Sequence, residues 1–328
     1  MRPRLIIFHT VLAVAFISLW VGSVQSRQYE TVLMSNGSET PLVVNNDGKT
    51  YKMPFTMQLQ NLQVERYSSG KPKSVTANVI CRKYKAQSTQ NEVTLSINHP
   101  VCYEHYQFYI QKYWMSDTYQ NGGVQLQLVR QPAQIVVYAA LLVLLILLAY
   151  DIVIKDIKKI NQKNGVAILL VSVIILLIII ELNPMMQNLE FPPILRSGWF
   201  VPHIIAYVLA YALLLTGFVW SVMFSIHPTH RRKLLVLKCF QAGTLLFFIG
   251  LILGMLWAKA AWGTFWSWDP KETFALLTLL IDVGYLHYFS FRPISTKINC
   301  IWQTIGFLSL QMCWYGVQLL GLGGLHVY

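Results

Sequence analysis

Seven apolar stretches, at residues 5–24, 135–154, 165–182, 203–225, 239–257, 273–290 and 298–319, leave this 328-residue chain few folds to choose from. A helix needs about 20 mostly apolar residues to cross the ~30 Å hydrocarbon core of a bilayer. Only 12% of the residues are charged and 55% are hydrophobic, against roughly 25% charged in a soluble domain. The chain reads as an all-α polytopic membrane protein of about seven transmembrane helices.

Charge sets the expected orientation. Basic residues cluster at Arg2 and Arg4, at Lys155, Lys158, Lys159 and Lys163, at Arg231, Arg232, Lys233 and Lys238, and at Arg292 and Lys297. The alternate connections hold only Arg196, or Lys259 with Lys271. Lysine and arginine stay on the cytoplasmic side, so the N-terminus is expected inside and the C-terminus outside. The net charge of +12 has this topological origin and does not point to nucleic acid. No Walker loop, GxGxxG or HExxH is present, and the five cysteines show no CxxC spacing, which removes the usual marks of nucleotide hydrolysis, zinc proteolysis and thioredoxin-like chemistry.

One sizeable polar stretch interrupts the apolar pattern, residues 27–132 between the first two spans. "FTMQLQNLQVERY" alternates at Phe55, Met57 and Leu59, then shifts to Leu62 and Val64, as a bulged strand does. "VTANVICR", "NEVTLSI", "YQFYIQKYW" and "GGVQLQLVR" read as further strands, with "SSGKPKS" as a turn. A small extracytoplasmic antiparallel β-domain is expected there. It holds Cys81 and Cys102, for which a disulfide and two free thiols are both open. The first apolar stretch also has a signal peptide's basic start and small residues Val24 and Ser26. Its length and His9 favour a retained helix.

Between the fifth and sixth spans runs "AAWGTFWSWDPKET". Asp269, Pro270 and Glu272 form a helix start: acidic N-cap, proline in the first turn, glutamate reaching back. The tryptophans are harder to explain. An interfacial belt would share indoles among all helix ends, yet Trp257, Trp262, Trp266 and Trp268 place four of the ten tryptophans within one short stretch. A large planar apolar ligand explains such a cluster, since aromatic rings pack well on a flat π-system. A haem would also need axial ligands, usually histidine.

His203, at the start of the fourth span, and His326, in the terminal "GLGGLHVY", are expected on the same outer face as the tryptophans. Each alone reads more simply as a surface histidine. Together, with the aromatic cluster between them in the chain, they are candidate axial ligands. His287 is roughly 27 Å into the sixth span at 1.5 Å per residue, and His9 is expected at a matching depth in the first. Ionisable groups at such depth are functional candidates, so the two make a possible inner pair if those helices touch. Asp282 has no evident partner. His227 and His230 read as a solvated basic loop, and His99 and His105 as ordinary β-domain residues.

These residues resemble a known family. "WAKAAWGTFWSWDPKETFALLTLLIDVGYLH" looks like the tryptophan-rich signature of the CcsA proteins of System II cytochrome c biogenesis. "WFVPHIIAYVLAYALLL" and "GLHVY" are similar to that family's flanking outer-histidine segments. Upstream, "FTMQLQNLQVERYSSGKPKS" and "INHPVCYEHYQFYIQKYW" resemble the end of the outer domain of its partner CcsB (ResB), so the chain looks like a shortened CcsB–CcsA fusion.

The resemblance implies a cytochrome c synthase of lyase type in a bacterial inner membrane, receiving haem b and joining it to the CxxCH motif of an apocytochrome c. It implies His203 and His326 as outer axial ligands, and His287 as the intramembrane histidine, with His9 as a candidate counterpart. Trp262, Gly263, Trp266, Trp268, Asp269, Pro270 and Glu272 fall on the signature. The family also implies thiol reductants and a CcsB-like membrane partner, because most of a full CcsB half is missing here. Expected divisions are 1–26 (anchor helix), 27–132 (ResB-like β-domain), 133–182 (two spans) and 183–328 (CcsA-like core). A haem carrier of CcmC type, handing its cargo to a separate chaperone, is the alternative. A third is a quinone or lipid site in which the histidines only pack.

Overall fold

The computed structural model describes residues 3–35, 37–84, 90–115, 122–159, 190–291 and 295–326. It divides into two units, Met1–Arg196 and Ser197–Tyr328. The apolar segment at 165–182, expected to be the third span, lies outside the described residues.

The first unit opens with α1 (Pro3–Gln25) and continues through β1 (Arg27–Met34), β2 (Thr40–Asn45), β3 (Thr50–Arg66) and β4 (Pro72–Lys83). β5 (Gln90–Ser96), β6 (Val101–Tyr103), β7 (Tyr106–Trp114), β8 (Gly123–Arg130) and α2 (Gln134–Lys159) follow. The strands form one antiparallel sheet in the order β5-β4-β3-β2-β1-β8-β7-β6. First and last strands are neighbours, paired from Arg27↔Arg130 to Met34↔Gly123. The chain therefore enters and leaves the sheet side by side, and α1 packs against α2.

Strand alternation builds the core of this unit. Along β3, Met53, Phe55, Met57 and Leu59 are buried at period two; the register then slips between Leu59 and Asn61, and burial resumes at Leu62. That is the expected bulge, which shifts the inward face by one residue without ending the strand. Phe55, Phe108, Leu126 and Val79 are fully enclosed in the core. Cys81 and Cys102 are both free thiols; Cys81 is buried in that core and Cys102 is exposed on β6. Burial pushes the Cys81 thiol up to about 12. Past the undescribed stretch, a 3-10 turn at Pro193–Leu195 is tied back to the sheet, with Asn98 Nδ2 donating to the carbonyls of Pro193 (2.8 Å) and Ile194 (3.0 Å).

The second unit is helical: α3 (Phe200–Ile226), α4 (His230–Trp262), α5 (Pro270–Phe291) and α6 (Thr296–Gln311). A π-helical turn at Met312–Gly316 and the short α7 (Val317–Leu319) complete it. The last expected span, 298–319, is thus an α-helix that changes pitch at Met312. Thr229 caps α4, accepting the Arg232 backbone N–H at 3.3 Å.

Glycines let α3 and α4 approach closely, as small residues do between apolar helices. A Cβ on Gly217 would lie 2.6 Å from the Phe240 ring, and one on Gly243 would lie 2.9 Å from Leu214. Among the described residues, Ile6–Gln25, α3 and α4 are long and apolar enough to cross a membrane, and α2 carries a shorter apolar stretch, Gln134–Leu147. The chain is a membrane protein with several apolar helices and an N-terminal antiparallel sheet.

Candidate functional site

The site lies within the helical unit, where the start of α3, the end of α4, the start of α5 and the C-terminal loop meet. His203 lies on the first turn of α3 and is buried. Its Nδ1 is 2.9 Å from the carbonyl of Gly250 on α4. A carbonyl can only accept, so Nδ1 carries the hydrogen and Nε2 the lone pair. Gly254, one turn further along α4, leaves room for the ring: a Cβ there would stand 2.7 Å from His203 Cε1. Tyr207 packs edge-on against the same imidazole at 4.7 Å.

Helix α4 ends at Gly263, whose φ of 85° is the left-handed cap conformation that glycine adopts cheaply. Lys259 Nζ, buried, donates to the Gly263 carbonyl at 2.8 Å. The connection to α5 carries Phe265 (buried), Trp266 (half-buried) and Trp268, which is 67% exposed. Trp266 and Trp268 meet edge to face at 5.9 Å. Trp268 has φ of 60°, a conformation that favours glycine.

Asp269 and Glu272 form the expected capping box. Asp269 Oδ1 accepts the Lys271 backbone N–H at 2.8 Å, and Glu272 Oε2 accepts the Asp269 N–H at 3.3 Å. Glu272 also accepts from the Ser267 backbone N–H (2.8 Å) and hydroxyl (3.0 Å). Asp269 has a second task. Its Oδ2 accepts the Leu325 N–H at 2.5 Å, and its Oδ1 lies 3.1 Å from His326 Nδ1. Burial works to raise the Asp269 carboxyl, but His326 and the Lys271 and Leu325 N–H groups outweigh it and hold the carboxyl at about 2. An ionised carboxylate 3.1 Å from Nδ1 favours a proton on that nitrogen, and carboxylates beside metal-binding histidines act in this way.

Trp257 joins the two histidines. Its ring lies 5.9 Å from that of His203, nearly parallel at 28°, and 5.6 Å from that of His326, edge-on. Trp262 closes the group, 5.0 Å from Trp257 and 5.1 Å from His326. The Trp262 indole N–H is buried with no hydrogen-bond partner among the described residues.

His203, His326, Trp262, Gly263, Asp269, Pro270 and Glu272 thus come together, with Trp266 and Trp268 on the adjoining loop. His287 does not join them: it is exposed on α5, Nδ1 donating to the Val283 carbonyl at 2.9 Å. His9 is exposed on α1 in the other unit, edge-on to Phe8 at 5.8 Å. Sequence reasoning counted Trp257 among the clustered indoles without placing it in the site, and missed Gly254 and Gly324. The Gly250–Gly254 spacing one helix turn apart, facing a helix that begins with a histidine, was the available signal.

Comparison with known proteins matches residues 135–326 to the cytochrome c assembly protein family, and residues 5–125 are similar to the ResB-like family. The chain is 34% identical over 157 residues to the cytochrome c biogenesis protein CcsA of Chlamydomonas reinhardtii, covering 44% of each chain. It is 30% identical over 193 residues to the CcsA protein of Amborella trichopoda, covering 45% of this chain and 61% of that one. Against the CcsA protein of Prochlorococcus marinus (strain MIT 9515), identity is 33% over 172 residues, 42% of this chain and 55% of the other. The chain spans about half the length of these curated relatives.

Proposed function

We propose, for a chain that belongs to the cytochrome c assembly protein family, that the helical unit holds haem b and joins it to the CxxCH cysteines of an apocytochrome c. His203 and His326 supply the axial nitrogens. One observation carries this reading: two imidazoles on distant parts of the chain pack against the same indole, Trp257, with an oxygen near each Nδ1, the Gly250 carbonyl at 2.9 Å from His203 and the Asp269 carboxylate at 3.1 Å from His326. The partnerless N–H of buried Trp262 adds a donor for the polar edge of a bound ligand.

The chemistry balances without an added oxidant. Each apocytochrome thiol adds across a haem vinyl: sulfur bonds to one vinyl carbon, the thiol proton goes to the other, and the C=C π bond is consumed. No residue of this chain has to act as nucleophile. Its residues bind and orient: the Gly250 carbonyl fixes the His203 tautomer, the Asp269 carboxylate faces His326, Trp257 and Trp262 offer apolar faces, and the capping box holds Asp269 in place. Thiol reductants would keep the acceptor cysteines reduced, and the ResB-like sheet would present the acceptor, with or without a CcsB-like partner.

In this reading the chain crosses a bacterial inner membrane seven times, N-terminus inside, with the tryptophan loop and C-terminus outside. Its divisions are the anchor helix 1–26, the β-domain 27–132, the spans of 133–182 and the core 183–328. His287 and His9 would serve an earlier, intramembrane stage of haem passage. The test is to express the chain with a CxxCH-bearing acceptor peptide. Haem that stays on the peptide through denaturing gel electrophoresis supports attachment. Haem that is bound by the chain but never becomes covalent on the peptide supports the carrier alternative.

A further inference from the structure

Helices α5 and α6 run antiparallel, and their shared face is lined by polar side chains arranged in layers. Thr278 and Ser309 are hydrogen-bonded hydroxyl to hydroxyl at 2.9 Å. Further along, Tyr285 donates to Asn299 Oδ1 at 2.7 Å, and Asn299 Nδ2 donates to the Ser221 hydroxyl of α3 at 2.7 Å. Between these satisfied layers lie Asp282, 2% exposed, and Gln303, 1% exposed. Asp282 Oδ2 and both amide atoms of Gln303 have no hydrogen-bond partner among the described residues. Gly306 brings the α6 backbone against the carboxyl: a Cβ there would lie 3.0 Å from Asp282 Oδ1. These two buried polar groups lie on neighbouring helices, each between the same two hydrogen-bonded layers along its own helix, and neither is needed by the haem site.

An ionised carboxylate with no partner is strongly disfavoured in such an interior, so the site must hold something that neutralises it. A metal ion is a poor candidate, because the described residues contain no group of three or more histidine, cysteine, aspartate or glutamate side chains able to hold one. An alkali cation needs a shell of oxygens, and among the described residues the unpartnered oxygens here are those of one carboxyl and one amide. The titratable group facing Asp282 is Tyr285 on its own helix. From α6 it meets Gln303 and Gly306; beyond Tyr285 lie Phe240 of α4 and, through Asn299, Ser221 of α3. Among the described residues Asp282 has no ion-pair partner. A proton satisfies both groups at once, since a carboxylic acid is a donor and an amide oxygen an acceptor.

We propose that Asp282 and Gln303 form a buried proton-binding site between α5 and α6, in which the carboxyl carries the proton and the Gln303 amide oxygen accepts from it. The site is independent of haem. Its proton is exchangeable, and its departure would place one uncompensated negative charge in the bundle.

Infrared spectroscopy of the purified full chain tests this. The parent at pH 7 should show a protonated-carboxyl C=O band that shifts in D2O, is lost in Asp282→Asn and changes frequency in Gln303→Leu. Parent protein with 13C-labelled aspartate gives the same readout should Asp282→Asn fail to fold. Absence of any protonated aspartate band at pH 7 would overturn the proposal. A band unmoved by Gln303→Leu would overturn the role of the amide, and a band that disappears on adding sodium or potassium would make the site an alkali-cation site instead.

Discussion

The Asp269 carboxylate caps helix α5 through one oxygen and, through both, holds the C-terminal loop: Oδ1 lies 3.1 Å from His326 Nδ1 and Oδ2 accepts from Leu325. One side chain thus ties a helix start to a candidate iron ligand. The two tasks separate by substitution. Asparagine caps helices as well as aspartate does but presents no charge to His326 Nδ1. Asp269→Asn should leave thermal stability within about 1 kcal/mol of the parent while weakening haem retention roughly 10–100-fold, as loss of a second-sphere partner does. Asp269→Ala should lose both. Spectrophotometric haem titration beside a thermal melt reads the difference.

Two glycines set where the histidines can lie. At Gly254 a methyl group would stand 2.7 Å from His203, and at Gly324, where φ is 120°, it would run into the Asp269 carboxylate. Gly254→Ala should cost about 1–3 kcal/mol as overpacking and shift the His203 ring. Gly324→Ala should detach the terminal loop instead. Gly198, with nothing within 4 Å of its virtual Cβ, is the control: Gly198→Ala should match the parent in both melt and haem titration.

Trp268 is strained and exposed together, with φ of 60° and 67% of its surface open. Its indole therefore contributes little to the fold. Trp268→Gly should be more stable than Trp268→Ala by about 1 kcal/mol, the cost of a left-handed backbone for a residue with Cβ. Both should lose haem retention equally if the indole serves the ligand. Equal melting temperatures would count against the strain.

The thiols of the sheet should differ in reactivity. Cys81 is buried with its thiol raised to about 12, while Cys102 is exposed. Alkylation at pH 8 should modify Cys102 promptly and Cys81 only on unfolding. The sign of the stability effect follows from the same shift. Between the ordinary value of 9.0 and about 12 the folded state keeps a proton that the unfolded state has lost, so stability falls as pH rises through that range. Cys81→Ser or Cys81→Ala should flatten that part of the alkaline profile.

Local chemistry was legible in the sequence wherever both partners lie close together in it. The capping box of Asp269 and Glu272 and the bulge of β3 after Leu59 were both readable from a few adjacent residues. Strands β1 and β2 were not expected, because their pairing is set by distant contacts: β1 pairs with β8, and Thr31 donates to the Leu42 carbonyl at 2.9 Å. The site followed the same rule. Residue type marked His203 and His326, but Trp257 as their common neighbour, and Gly254 as the gap for His203, depend on how α3 crosses α4. No period in either helix encodes that crossing. Asp282 stood out in the sequence as an unexplained charge, and only the packing of α5 on α6 brings Gly306 against it.

The most direct measurement is the absorption spectrum, oxidised and reduced, of the purified chain expressed with ample haem, beside His203→Gly and His326→Gly. The account predicts a Soret band and a low-spin, six-coordinate spectrum in the parent. Each variant should lose haem, and exogenous imidazole should restore it. No Soret band in the parent, or variants that hold haem like the parent, would contradict it.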